Sequence, residues 1–567
     1  MIEPRKDAKE SVADAVRREE RKAKPTRAKT RVLGGTGAVG ERGMPTKLLT
    51  REPGDLTVAC GRKSDEPRSE GQGRNAEMND REKSDGCEVP EKSPNEEEAM
   101  EGRRPTRRNS EEPNAVRTQR RAAAPSGLDR VGEAARRHDG AKFTALLHHI
   151  TPERLTACYG KLKRNAAPGV DGVTWAEYGE KLEQNIKDLH GRIHRGAYHA
   201  QPSRRTYIPK SDGKQRPLGI ATIEDKIAQA AVAEVLNAIY EEEFYGFCHG
   251  FRPGRGPHDA LDALAMVIEK RKVNWILDAD IKGFFDNVDH GWLQKMIEHR
   301  IGDRRMVRLI MKWVKAGVIE EEEWEASEQG TPQGAVISPL LANVYLYHVF
   351  DQWAHAWRKR RARGEVVIVR YADDFIVGFQ ERRDAERFHE ELRERLAKFA
   401  LELHPEKTRI IEFGRYAAER RSRRGEGKPE TFKFLGFEHI CSERRDGRYK
   451  LLRKTDPRRM TRKLAALKIE LRRRRHDPIP KQGLWLRSVI KGHDQFYAVP
   501  DNLPALRAFR RALERMWWHS LRRRSQRSRV DRKRQDRLRQ RWFPAAHIHH
   551  PRPSVRYAAT LRRSRMR

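Results

Sequence analysis

The chain has 567 residues, 119 Lys and Arg against 82 Asp and Glu, a net charge of +37 and a mean hydropathy of −0.91. That length suits several domains of about 150 residues, and no run of about 18 apolar residues offers a membrane span. Five cysteines stand far apart with no CxxC pair, which argues against a zinc ribbon or a disulfide framework, and the charge excess selects a polyanionic partner, nucleic acid above all.

Met1 to Arg21 is charged throughout, with no apolar stretch for a signal peptide, and Glu3, Asp7, Glu10, Glu19 and Glu20 speak against a mitochondrial presequence. The expected location is cytoplasmic, nucleoid-associated in a bacterial cell. From Met1 to Pro125 there are 28 Lys and Arg, 24 Asp and Glu and no aromatic residue, the first being Phe143. Such a segment buries too little surface to offset its ordering entropy, so 1–125 is predicted to be a disordered charged extension. Gly35-Thr36-Gly37-Ala38-Val39-Gly40 fits G-x-G-x-x-G literally, with Asp55 downstream. It lacks the flanking strand and helix that dinucleotide binding needs, so it reads as a flexible linker.

The middle of the chain alternates helical and strand-like patterns and carries two acidic clusters in apolar frames. Asn274 to Asp286 reads as a strand in which Asp278 and Asp280, two apart, share a face. Val366 to Gly378 reads as a β-hairpin with Asp373 and Asp374 at its tip. Carboxylates inside apolar strands are costly unless a cation compensates them. Mg²⁺ takes a few carboxylates plus water and substrate phosphates, and a pair of such ions suits phosphoryl transfer onto a 3′-hydroxyl. The competing reading makes these aspartates turn or edge residues.

From Arg453 to Arg567 there are 35 Lys and Arg against 8 Asp and Glu. Met460, Leu464, Leu467 and Leu471 recur at helical spacing among basic residues, and Asp477-Pro478 ends that helix. Leu506 to Leu521 repeats the pattern around Trp517 and Trp518. That pair suits either a helical core or base stacking. The charge predicts phosphate binding with steep salt dependence.

Tyr371-Ala372-Asp373-Asp374 matches the reverse-transcriptase active-site box. The surrounding chain resembles one family, the group II intron-encoded reverse transcriptase/maturases of bacteria and organelles. The resemblance runs in family order through Asn165–Thr174, Tyr207–Ile220, Gly250–Arg255, Ala279–His290, Gly330–Asn343, Arg370–Phe375, Leu403–Thr408 and Phe434–Phe437. It covers residues 140 to 567.

The resemblance implies an α+β right-hand polymerase, with fingers, a palm built on an antiparallel sheet and a helical thumb. The fingers and palm would occupy 126–452, and 453–567 would be a basic thumb and maturase region that binds RNA. It implies two Mg²⁺ ions bridged by Asp280 and Asp373, with Asp374 beside them and Asp278 only a neighbour. Lys210 and Arg216, on a fingers hairpin turning at Ser211-Asp212-Gly213, would grip the incoming triphosphate. Phe285 would lie against the nucleotide sugar and exclude a 2′-hydroxyl, and Gln333 would touch the nucleotide. Leu435 and Gly436 would form the turn that holds the primer end.

Two departures, Cys248-His249 and Ala335, are expected to lie away from the chemistry. No cysteine follows Cys441, so the H-N-H endonuclease of many relatives is not expected, and His547, His549 and His550 are not expected to hold metal. The primer would then come from elsewhere, such as a nascent strand at a replication fork. The implied partners are the group II intron RNA, a DNA target and primer, and deoxynucleoside triphosphates, with no membrane; a homodimer is left open. The competing functions are a splicing cofactor that no longer polymerises, and a reverse transcriptase of a retron or defence system.

Overall fold

The computed structural model describes residues 127–138, 140–209, 215–320, 323–325, 329–331, 333–524 and 531–557. The segment 1–125, its glycine-rich run, Lys210 and the Ser211-Asp212-Gly213 turn lie outside the described residues.

Helices α1 (Gly127–Arg137), α2 (Pro152–Lys161), α3 (Trp175–Glu180) and α4 (Leu182–Arg195) open the described chain. Local chemistry starts two of them. Thr151 accepts from the Arg154 amide ahead of Pro152, and Thr174 with Glu177 forms a capping box. The hairpin β1 (Ser203–Pro209) and β2 (Gln215–Ile220) leads into α5 (Ile223–Glu243), whose Ile227, Ala231, Val235 and Ile239 are fully buried. Next come α6 (Pro257–Lys270), β3 (Trp275–Ala279), α7 (His290–Arg300) and α8 (Arg304–Lys315). They are followed by β4 (Val318–Glu320), β5 (Glu323–Glu325), α9 (Ser338–Leu346), a π turn over Tyr347–Asp351, and α10 (Gln352–Arg360).

The remaining elements are β6 (Val366–Tyr371), β7 (Asp374–Phe379), α11 (Arg382–Ala397), β8 (Arg409–Glu412) and α12 (Ala417–Arg423). A third group of strands, β9 (Phe432–Phe434), β10 (Phe437–Glu443) and β11 (Tyr449–Thr455), precedes the helices α13 (Pro457–Arg473), α14 (Ile479–Tyr497), α15 (Leu503–Arg522) and α16 (Arg532–Trp542).

Three sheets result, ordered β2-β1-β4-β5, β6-β7-β3-β8 and β11-β10-β9. The second is antiparallel throughout. Its inner face packs on α6, and one apolar cluster joins Leu261, Leu264 and Ile268 to Ile276, Val369, Tyr371, Ala372, Phe434 and Phe437.

The strand expected over Asn274–Asp286 stops at Ala279. Gly283, at φ +56, turns the chain, and Phe284–Asp286 forms a 3₁₀ turn whose Asp286 amide donates to the Gly283 carbonyl. A boundary at 452/453 would cut β11; the helices of the basic segment begin at Pro457, capped by Asp456.

In those helices Leu467 and Leu471 meet Leu486, Ile490, Phe509, Leu513 and Trp542 in a second core. Trp517 is fully buried, stacks on Trp518 at 5.2 Å and donates from Nε1 to Gln482 at 2.8 Å. With Trp518 also buried, the pair is helical core rather than a surface for base stacking. Beyond α16 the chain returns across α14 and α6. His550 stacks on His258 at 4.0 Å, and Arg556 joins Arg453 on the buried Asp262 at 2.8 and 2.9 Å. Among the described residues no helix is long and apolar enough to cross a membrane.

Candidate active site

The β6–β7 hairpin closes on the pair Tyr371–Asp374, leaving Ala372 and Asp373 as a two-residue turn. Ala372 takes φ +57, a left-handed conformation that costs a residue with a Cβ. Asp373 is half-buried in this turn and Asp374 is exposed at the start of β7. On the other side of β7, β3 pairs Ala279 with Phe375. Asp280 follows Ala279 and so leaves the sheet at the same edge as Asp374. The pairing of β3 and β6 with β7 thus brings Asp280, Asp373 and Asp374 to one end of the sheet.

Asp280 is held at both ends. Its carbonyl accepts from the His404 amide at 2.8 Å, and its carboxylate pairs with Lys407 Nζ at 2.7 Å. Asp278 faces Arg409 of β8 at 3.7 Å. Burial pushes the Asp278 carboxyl up to about 6, with Arg409 pulling it down and Asp280 pushing it up.

A second group lies on the 3₁₀ turn after β3. Phe284 is core, 2% exposed, and Phe285 is half-buried with its ring edge-on to Phe284 at 5.2 Å. The loop carrying Gln333 docks on this turn and on the first sheet together. The Thr331 amide donates to the Phe285 carbonyl at 2.8 Å, and Gln333 Nε2 donates to Asp286 at 3.0 Å. The Gln333 carbonyl accepts from Gly219 of β2 at 2.6 Å, and the Val336 amide donates to Gln229 of α5 at 2.9 Å. Arg216 is exposed on β2, paired in register with Ile208.

Leu435 and Gly436 form the two-residue turn between β9 and β10, both with positive φ, +47 and +81. Leu435 packs against the same apolar cluster that holds Tyr371 and Ala372. Residues of four motif blocks therefore share one scaffold, while Lys210 lies outside the described residues.

A buried polar support under the Ala372-Asp373 turn has no counterpart among the sequence expectations. Arg370, fully buried, donates to both Asp351 oxygens at 2.7 and 2.5 Å, to Asn343 at 3.0 Å, to the Ala372 carbonyl at 2.9 Å and to Cys248 Sγ at 2.9 Å. Burial pushes the Cys248 thiol up to about 11, with Arg370 opposing. Cys248, expected to lie away from the chemistry, touches Arg370 rather than the aspartates. An arginine ending the apolar run Val366–Val369 was the available signal, since a charge there needs a buried partner.

The donor set suits a hard divalent cation, being carboxylate oxygen throughout. Among the described residues no three Asp, Glu, His or Cys side chains cluster tightly enough to cage an ion unaided.

Residues 208–439 match the family model for reverse transcriptase, an RNA-dependent DNA polymerase. The chain is 34% identical over 297 residues to the Escherichia coli protein YkfC, covering 46% of this chain and 78% of that protein. It is 38% identical over 224 residues to the group II intron-encoded protein LtrA of Lactococcus lactis, covering 39% of this chain and 37% of LtrA. The putative COX1/OXI3 intron 1 protein of Saccharomyces cerevisiae is 24% identical over 306 residues, 36% of its length. The chain thus spans little more than a third of either intron-encoded relative.

Proposed function

The chain belongs to the group II intron-encoded reverse transcriptase and maturase family, and from that membership we propose that it copies RNA into DNA by two-metal phosphoryl transfer and binds its own intron RNA to assist splicing and mobility. The observation that carries this reading is the turn at Ala372-Asp373, which sets Asp373 and Asp374 at the sheet edge where Asp280 leaves β3.

Reverse transcriptase domains depend on divalent metal. Asp280 and Asp373 would hold two Mg²⁺ ions with Asp374 beside them, and the ions would supply activation of the primer hydroxyl and neutralisation of the triphosphate. The protein's own groups do the rest. Leu435 and Gly436 support the primer end, and Phe285 and Gln333 bound the nucleotide from the side of β2. Arg216, with Lys210, offers cations to the triphosphate. Lys407, at 2.7 Å, holds the Asp280 carboxylate in place until the substrate arrives.

The intron RNA would lie on the basic surface of α13 to α16. Splicing chemistry would belong to the RNA, with the protein stabilising its active fold. The location proposed is cytoplasmic.

The test is primer extension on an RNA template with deoxynucleotides and Mg²⁺, comparing wild type with Asp373→Ala. Extension by wild type alone, with intron RNA bound equally by both, is the expected result. No extension by either folded protein, with RNA still bound, would leave a splicing cofactor in its place.

A further inference from the structure

Beside the Ala372-Asp373 turn, Phe251 combines two features that folding alone does not account for. Its backbone sits at φ +56 and the residue is 37% exposed. A bulky L residue is strained in that conformation, and an aromatic side chain left partly in water forgoes some of the burial that usually justifies it.

Both neighbours are locked inward. A Cβ on Gly250 would stand 2.2 Å from the Ala372 nitrogen, and the Gly250 carbonyl accepts from Asn343 at 2.7 Å. On the other side Arg252, 5% exposed, donates to the carbonyls of Tyr245 and Cys248 at 2.9 and 3.0 Å and to the Glu241 carboxylate at 3.1 Å. With its neighbours drawn in, Phe251 is turned outward, its ring centre 6.3 Å from that of Tyr371.

We infer that Phe251 is a contact residue for the primer–template duplex, its ring lying against a base or sugar edge next to the primer's 3′ end. The inference rests on the polymerase reading and deepens it. A base or sugar fits better than a phosphate, because the ring is apolar, Arg252 is committed to backbone carbonyls and the Glu241 carboxylate, and Arg255 Nη1 is turned to the Gly246 and Cys248 carbonyls at 3.0 and 3.3 Å. The incoming nucleotide is not the occupant, since its residues lie on the Phe285 turn and the Gln333 loop.

The experiment compares wild type with Phe251→Ala, Phe251→Tyr and Phe251→Gly. Fluorescence anisotropy measures binding of a labelled RNA-template, DNA-primer duplex without nucleotide, and primer extension on the same duplex measures processivity. Phe251→Ala and Phe251→Gly should bind the duplex about 5- to 20-fold more weakly and dissociate after fewer additions. The deoxynucleotide KM should be unchanged, and Phe251→Tyr should retain wild-type binding. Glycine accepts a positive φ, so Phe251→Gly should melt no lower than wild type, which separates a lost contact from a lost fold. Wild-type duplex affinity and processivity in Phe251→Ala would overturn the proposal. A wild type that binds the duplex without extending it would remove the polymerase reading, while the anisotropy comparison would still decide the contact.

Discussion

All five N–H groups of Arg370 are engaged, on Asp351, Asn343, Cys248 and the Ala372 carbonyl. The strained turn at Ala372 is therefore held from below by a charge that cannot be deprotonated. Arg370→Met would leave Asp351 ionisable, fully buried and uncompensated, at a cost of about 3–5 kcal/mol. Thermal unfolding should show that loss, and residual folded protein should extend primers poorly. Phe285 makes a different kind of prediction, because the role implied for it is exclusion. Phe285→Ala should raise ribonucleotide use relative to deoxynucleotide use by about tenfold or more, read as competing incorporation on one template. The motif position of Phe285 was visible in the chain. Its orientation was not, because alternation along a strand would have to persist to Asp286, and the turn at Gly283 interrupts it.

The loop from Gly330 to Val336 couples the first sheet to the second. Gly334 carries φ +108, and a Cβ there would stand 2.8 Å from the Gly219 carbonyl oxygen, a backbone atom of β2. Gly334→Ala should push the loop off β2 and move Gln333 away from Asp286. The expected result is a rise of about tenfold in deoxynucleotide KM, roughly 1.4 kcal/mol, with duplex affinity kept, measured by steady-state primer extension. The β6–β7 hairpin was legible because two β-branched runs flank its polar turn. The parallel pairing of β1 with β4, and the docking of the Gln333 loop on Gly219, had no local signal. Each depends on residues more than a hundred positions apart.

The excess of basic residues after Arg453 predicts that intron RNA binding weakens steeply with salt. For about 6–10 phosphate contacts the affinity should fall about 10³- to 10⁵-fold between about 50 and 200 mM salt. A flat dependence in filter-binding assays would contradict binding through this surface. The folded chain also has an acid liability. Burial holds His258, His348 and His439 neutral with pKa values lowered to about 3. Their charged or titratable neighbours are His550, Arg556 and Arg453 for His258, His299 and Arg395 for His348, and Arg453 for His439. An unfolded histidine takes up its proton near 6.5. Below that pH the unfolded chain binds more protons than the folded one, so stability falls as pH drops. The window opens at about 6.5 and closes near 3, and each histidine contributes on the order of 1 kcal/mol per pH unit within it. The melting temperature should therefore decline from pH 6.5 downward, and His439→Phe, beside Phe432, should flatten that decline.

Family membership, the three aspartates and the basic character of the last helices could be read from the linear chain. Motif order, residue type and charge are local properties and survive without a fold. The meeting of Asp280 with the β6–β7 turn, the polar support from Arg370 to Cys248, and the outward Phe251 could not. Those depend on strand register, on which charges burial forces together, and on where a backbone is held in a conformation its own side chain disfavours.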